Sequence, residues 1–278
     1  MINLLFAVLC SAAISLVMRL STDKVKGNVS MLAMNYLMCL LIAGTYTGWG
    51  SLFPKEAGVR TALLLGGGQG ALYLAAFVLL QVNIKKNGVV LSAIFQRLGL
   101  LVPMVVSVLL FGEMPEGMQM IGFCVAIVAI VLINLEKERT VMQFKLGLVL
   151  ILLAGGCADV MAKLYEEWGN PQLAPQFLLY TFGLALVLCL VLMIWKKERP
   201  GMPEVLYGFA VGIPNYFSAK FLLASLETVP AVIVYPTFSV ATILVVTLAG
   251  VVLFGERLSK RQWTAIGIIL VALVLLNL

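Results

Sequence analysis

The sequence predicts an all-α integral membrane protein: ten transmembrane helices arranged as two five-helix repeats of inverted topology. Three observations carry that prediction. Of 278 residues, 62% are hydrophobic and 12% charged, with a mean hydropathy of +1.07, whereas soluble domains are about half apolar. The apolar residues gather into ten runs of about 17–25 residues, the length that crosses about 30 Å of hydrocarbon at about 1.5 Å per residue. The closing stretches of the two halves of the chain also repeat one another.

In order, the runs cover residues 2–18, 29–48, 62–82, 88–111, 117–135, 146–163, 176–195, 205–226, 229–254 and 262–278. The first begins "MINLLFAVLC", without the positive leader and small-residue cleavage site of a signal peptide, and is expected to stay as a span. Short polar segments such as "NIKKNG", "GEMPEG" and "KKERPGMPE" join the rest, and none is long enough to fold alone.

Charge follows the connections. Fourteen lysines and arginines fall in the odd-numbered connections and three on the even-numbered side, with Arg97 and Lys220 left inside spans. Basic residues mark the cytoplasmic side, so both termini are expected outside an inner (plasma) membrane. The net charge of +6 is accounted for in this way and implies no nucleic acid. The chain has no histidine, and its five cysteines stand singly in apolar runs. Neither a metal cluster nor a disulfide framework is expected, and no cofactor is implied.

"SVLLFGEMPEG" at 107–117 and "GVVLFGERLSK" at 250–260 open the repeat. At an offset of 143, residues 110–135 match 253–278 at eleven positions, among them Glu113 with Glu256, Gln119 with Gln262 and Asn134 with Asn277. Earlier in each half, Gly66, Gly70 and Tyr73 correspond to Gly208, Gly212 and Tyr216. The halves are therefore 1–140 and 141–278. Five spans is an odd number, so the second copy crosses in the opposite sense. Glu113 then ends its helix outside, and Glu256 ends its helix among Arg257, Lys260 and Arg261 in the cytoplasm. Inverted repeats with a site near the midplane are a recurrent design of secondary transporters.

Two five-helix halves, each with "LFGE" closing its fourth helix and a Gln- and Gly-containing fifth, resemble the drug/metabolite transporter superfamily and its ten-helix EamA-type members. The resemblance spans the whole chain. It implies alternating access, with a cavity lined by the first, third, fourth, sixth, eighth and ninth helices and the fifth and tenth packed or paired at the back, which leaves monomer and homodimer open. Pro103 lies ten residues before Glu113 and Pro236 twenty before Glu256, so kink positions are read from this chain itself.

Charges inside a bilayer cost about 2.5–3.5 kcal/mol each on insertion scales, and three stand at membrane depth: Arg97, Asp159 and Lys220. On helical rise, Asp159 and Lys220 both lie in the outer half, where they could pair, and Arg97 nearer the midplane. Arginine forks onto carboxylate or phosphate and is a natural anchor for an anionic group. The structural alternatives are an ion pair of Asp159 with Lys220 or Lys163, and an Arg97 that bridges carbonyls near the proline break. Gln96, Asn215, Tyr216 and Tyr73 are neutral candidates for orienting a ligand, or equally for bonding helices together. Arg19, Lys163 and Glu227 stand at span ends, where snorkelling is expected. Glu113 and Glu256 read as structural.

"GGGQG" at 66–70 lies within a span and lacks the Lys-Ser/Thr of a phosphate loop, so Gly66 and Gly70 read as close helix packing. Pro103, Pro214 and Pro236 read as hinges or as tolerated kinks. With two cavity cations against one anion, the expected function is export of a small anionic or zwitterionic metabolite such as an amino acid, Asp159 being the proton-coupling candidate. The alternatives are a multidrug-type exporter of lipophilic cations and a lipid flippase. An enzyme is not expected, since the residues offer no nucleophile–base pair.

Overall fold

The computed structural model describes residues 1–134, 144–255 and 258–278. Glu256, Arg257 and Leu135 of the repeat, and the side chain of Asn134, lie outside the described residues. Among the described residues ten helices follow one another: α1 (Ile2–Ser21), α2 (Asn28–Thr47), α3 (Val59–Gly88), α4 (Leu91–Phe111), α5 (Gly117–Asn134), α6 (Lys145–Trp168), α7 (Ala174–Trp195), α8 (Met202–Leu226), α9 (Ala231–Phe254) and α10 (Lys260–Leu276). A 3-10 turn at Pro171–Leu173 precedes α7. Eight of these helices are long and apolar enough to cross a membrane, and α5 is a shorter apolar helix.

The third connection is almost absent. Where "NIKKNG" reads as a loop, helix α3 continues through both lysines and breaks only at Gly88, whose φ of 80° is open to glycine and strained for other residues. Two asparagines explain the continuation. Asn83 Nδ2 donates to the Gly147 carbonyl at 2.8 Å, and Asn87 holds Phe144 at two points, accepting its N–H at 2.8 Å and donating to its carbonyl at 3.0 Å. The helix end is thus fastened to the start of α6.

Compact packing divides the chain into two units, each drawing helices from both halves of the sequence. The first comprises Met1–Leu74 and Met161–Glu227. Here α8 packs on α1 and α2, and α2 also packs on α7. Small residues allow the approach, which is how helices associate without a hydrophobic driving force: Ala7, Ala33, Ala43 and Ala185 are fully buried. The glycine pairs do as their spacing predicts. A Cβ on Gly66 or Gly70 would strike the backbone carbonyls of Phe177 and Thr181 on α7, and one on Gly208 or Gly212 those of Met31 and Asn35 on α2.

The second unit comprises Ala75–Val160 and Thr228–Leu278, with α5 on α10 and α4 on α9. Gly122 of α5 lies against the Leu275–Leu276 backbone of α10. The matched motifs take the same local structure. Gly112 and Gly255 end α4 and α9 at φ 68° and 66°. Gln119 and Gln262 then reach back to accept the backbone N–H groups of Glu116 and Ser259, at 3.1 and 2.8 Å, the reciprocal half of a capping box. Glu113 is a cap as well: its Oε2 accepts the Ala231 N–H at 2.7 Å, at the first turn of α9.

Pro103 stands just past a break in α4. A proline clashes with the carbonyl four residues earlier, here that of Gly99, which instead accepts the Val102 N–H at 3.0 Å in a tightened turn. Pro214 and Pro236 lie inside helices that continue through them.

Candidate functional site

In the first unit, the tyrosines at matching repeat positions converge. Tyr73 of α3 and Tyr216 of α8 both pack on Phe182 of α7, with ring centroids 6.4 and 6.1 Å away, and Tyr36 of α2 joins them at 6.3 Å. Tyr46, at the end of α2, stacks on Tyr216 at 5.7 Å. Lys220, one turn beyond Tyr216 on α8, places its ammonium 3.6 Å from the centroid of the Tyr46 ring. Such a contact is worth about 0.5–1 kcal/mol when exposed and about 2 or more when desolvated. Among the described residues Lys220 has no carboxylate partner, and the buried Tyr216 hydroxyl has no hydrogen-bond partner.

Two expected ligand residues are engaged with neighbouring side chains. Asn215 Nδ2 donates to Asn35 Oδ1 at 3.1 Å, tying α8 to α2, and the Cys39 thiol donates to the Gly212 carbonyl at 3.3 Å beside it. The Tyr73 hydroxyl accepts from Gln69 Nε2 at 3.2 Å, and the Gln69 carbonyl oxygen accepts from Thr181 at 3.2 Å. Asn35, Tyr36, Tyr46 and Phe182 are among the members of this site that the sequence reading did not single out. Their signal was weak, since an aromatic or an asparagine within an apolar helix announces no partner until the helices are packed.

Lys163 corrects an expectation. Rather than snorkelling from a span end, it is 2% exposed and paired with Glu166 at 2.7 Å and Glu167 at 2.6 Å. The physical reason is spacing: glutamates at i+3 and i+4 meet the ammonium on the same helix face, which removes the need to reach water. Its ammonium is therefore committed one turn onward and not to Asp159.

In the second unit, Asp159 of α6 and Arg97 of α4 are half-buried, and Gln96 is exposed. Among the described residues of this unit, neither charge forms an ion pair or side-chain hydrogen bond. The Asp159 backbone is held, its carbonyl accepting the Tyr235 hydroxyl of α9 at 2.8 Å. Further along α9, Thr237, Ser239 and Thr242 carry buried hydroxyls that lack a hydrogen-bond partner among the described residues, as does Ser107 on α4. "PTFSVAT" was a legible signal for them, three hydroxyls spaced along an apolar helix. Lys220 and Asp159 belong to different units, and each is described within its own. Among the described residues no group of three or more His, Cys, Asp or Glu is placed to hold a metal.

Residues 145–278 match the model of the EamA-like transporter family. An uncharacterized protein of Haemophilus influenzae is 24% identical over 278 residues, spanning 95% of this chain and 93% of its own. The spermidine export protein MdtI of Cronobacter sakazakii is 30% identical over 97 residues, 34% of this chain and 87% of that protein. A protein crystal structure aligns with a TM-score of 0.76 at 16% identity, covering 99% of this chain and 94% of the other, which establishes a shared fold. The chain belongs to the EamA-like transporter family, multi-pass membrane proteins that carry small molecules, within the drug/metabolite transporter superfamily.

Proposed function

We propose that this protein is a secondary transporter of the inner membrane that exports a small carboxylate-bearing solute, anionic or zwitterionic, by alternating access. The observation that carries the reading is the state of its cations. Lys163 is neutralised by two glutamates. Lys220 and Arg97, by contrast, have no carboxylate partner among the described residues. An ammonium resting on an aromatic face keeps N–H donors for an incoming carboxylate, and the Tyr46–Tyr216–Phe182 rings offer apolar area beside it. An arginine inside a span is a costly residue whose common use is to meet an anionic group.

The remaining roles follow from that reading. The halves 1–140 and 141–278 act as inverted repeats with both termini outside, and Pro103, at the break in α4, is the strongest of the three hinge candidates. Asp159 carries the coupling proton, and its release is linked to solute binding. In proteoliposomes, unlabelled amino acids should exchange against a labelled one, and Arg97→Gln and Lys220→Met should each slow exchange at least tenfold. If polyamines and quaternary ammonium compounds compete and no carboxylate does, the reading fails.

A second reading, export of an organic amine, has its own support. The spermidine export protein is a relative, and the Tyr46 face already holds an ammonium. On this reading the solute takes the place of Lys220, and removing Lys220 improves transport rather than abolishing it.

A further inference from the structure

The first unit contains an apolar groove away from the aromatic cluster, a cavity of about 660 Å³ between α2, α3 and α7, within the about 300–1,000 Å³ usual for a ligand site. Its floor is glycine, at Gly67, Gly68 and Gly183. Trp49 and Phe53 wall one end. That end is built rather than loose. Gly48, at φ 73°, turns the chain so that the Trp49 ring lies over Gly44, Phe53 stacks on Tyr180 with centroids 5.6 Å apart, and the Tyr180 hydroxyl donates to the Leu52 carbonyl at 2.7 Å. Trp and Tyr favour the headgroup level of a bilayer, which makes this the polar end of the groove.

Charge marks the same end. Arg60 precedes the lining residues Leu63 and Leu64 by three and four positions on α3, so it shares their helix face and leans toward the N-terminal mouth. It is exposed and makes no hydrogen bond or ion pair among the described residues. Lys55 and Glu56 in the adjoining loop are of opposite sign, and Arg60 is the cation nearest in sequence to the lining residues of α3. Along α7 the lining runs from Leu179 to Val187, about 12 Å at about 1.5 Å per residue, close to one leaflet of a hydrocarbon core about 30 Å thick.

The geometry points to a phospholipid site: an acyl chain in the glycine-floored groove, and an anionic headgroup phosphate forked by Arg60. The guanidinium supplies paired donors to phosphate oxygens, and Gly67, Gly68 and Gly183 put no side chain into the groove, which leaves its volume to an acyl chain. The site is separate from the solute path proposed above and stands whichever solute is carried.

The test uses the full protein in detergent with phosphatidylglycerol or phosphatidylcholine of matched chains, read by native mass spectrometry and by thermal midpoint. Phosphatidylglycerol should bind at least tenfold more tightly than phosphatidylcholine, and Arg60→Gln should erase the preference. Gly183→Val should weaken both lipids at least tenfold. A Cβ there meets only Leu40, at 3.6 Å, so the variant fills the groove without disturbing the helix contact, and an unchanged midpoint without lipid checks that it has folded. Equal affinity for the two lipids, or full binding by a folded Gly183→Val, overturns the proposal. A change of oligomeric state in Gly183→Val without change in lipid binding also overturns it, by making the groove a contact between copies.

Discussion

Lys220 holds its ammonium 3.6 Å from the centre of the Tyr46 ring, and Tyr46 in turn stacks on Tyr216. The cation is therefore positioned by a neutral partner and keeps its hydrogen-bond donors. Lys163 is the counter-example in the same unit, with two carboxylates closing over its ammonium. On the proposed function Lys220 is the lysine that meets the solute, whereas Lys163 is held within its own helix by Glu166 and Glu167.

Lys163 should behave as a structural residue. Lys163→Met removes the buried ammonium that Glu166 and Glu167 share, and because those glutamates are 16% and 32% exposed the loss should fall below the about 3–5 kcal/mol of a fully buried pair. The thermal midpoint should fall. The triple variant Lys163→Met with Glu166→Gln and Glu167→Gln should recover part of the loss, since the two like charges that the ammonium held together are gone as well.

Glu113 caps α9, so Glu113→Ala should lower stability by about 0.5–2 kcal/mol, the usual cost of losing a cap. Glu113→Gln should lose less, because its amide oxygen still accepts the Ala231 N–H while the charge at the helix N-terminus is gone. Denaturant or thermal unfolding of both variants orders the two effects. A larger loss for Gln than for Ala would contradict the assignment.

The glycine contacts predict a contrast within one residue type. Gly212→Val presses branched atoms onto the Asn35 carbonyl, and overpacking of this kind costs about 1–3 kcal/mol. Gly155→Ala meets nothing within 4 Å and should be neutral or gain up to about 1 kcal/mol of helix propensity. Expression level and thermal midpoint of the pair read the difference directly.

How much of this was legible in the sequence depends on the kind of interaction. Helix positions were, because a run long enough to cross hydrocarbon is visible in composition alone. The motif repeat was also legible, and its structural meaning appears at Gly112 and Gly255, which share one backbone conformation, and at Gln119 and Gln262, which make the same cap. The clamp of Asn83 and Asn87 on α6 was not, because its partners are backbone groups some 60 residues away in sequence, and backbone groups carry no sequence signature. Asn215 read equally as a ligand group and as a helix tie until the Asn35 side chain, 180 residues away in sequence, was found opposite it. Tyr73 and Tyr216 could be matched by repeat position, yet nothing in the sequence named Phe182 as the ring on which both converge.

The most direct measurement is the ligand-induced shift in thermal midpoint of the purified wild-type protein, Lys220→Met and Tyr46→Leu, against a panel of amino acids, organic anions, polyamines and quaternary ammonium compounds. At about 100 times its dissociation constant a ligand stabilises by about 2.7 kcal/mol. The account predicts that a carboxylate-bearing compound raises the wild-type midpoint, that Lys220→Met loses the shift, and that Tyr46→Leu weakens it. A shift by amines alone that survives or grows in Lys220→Met would contradict it.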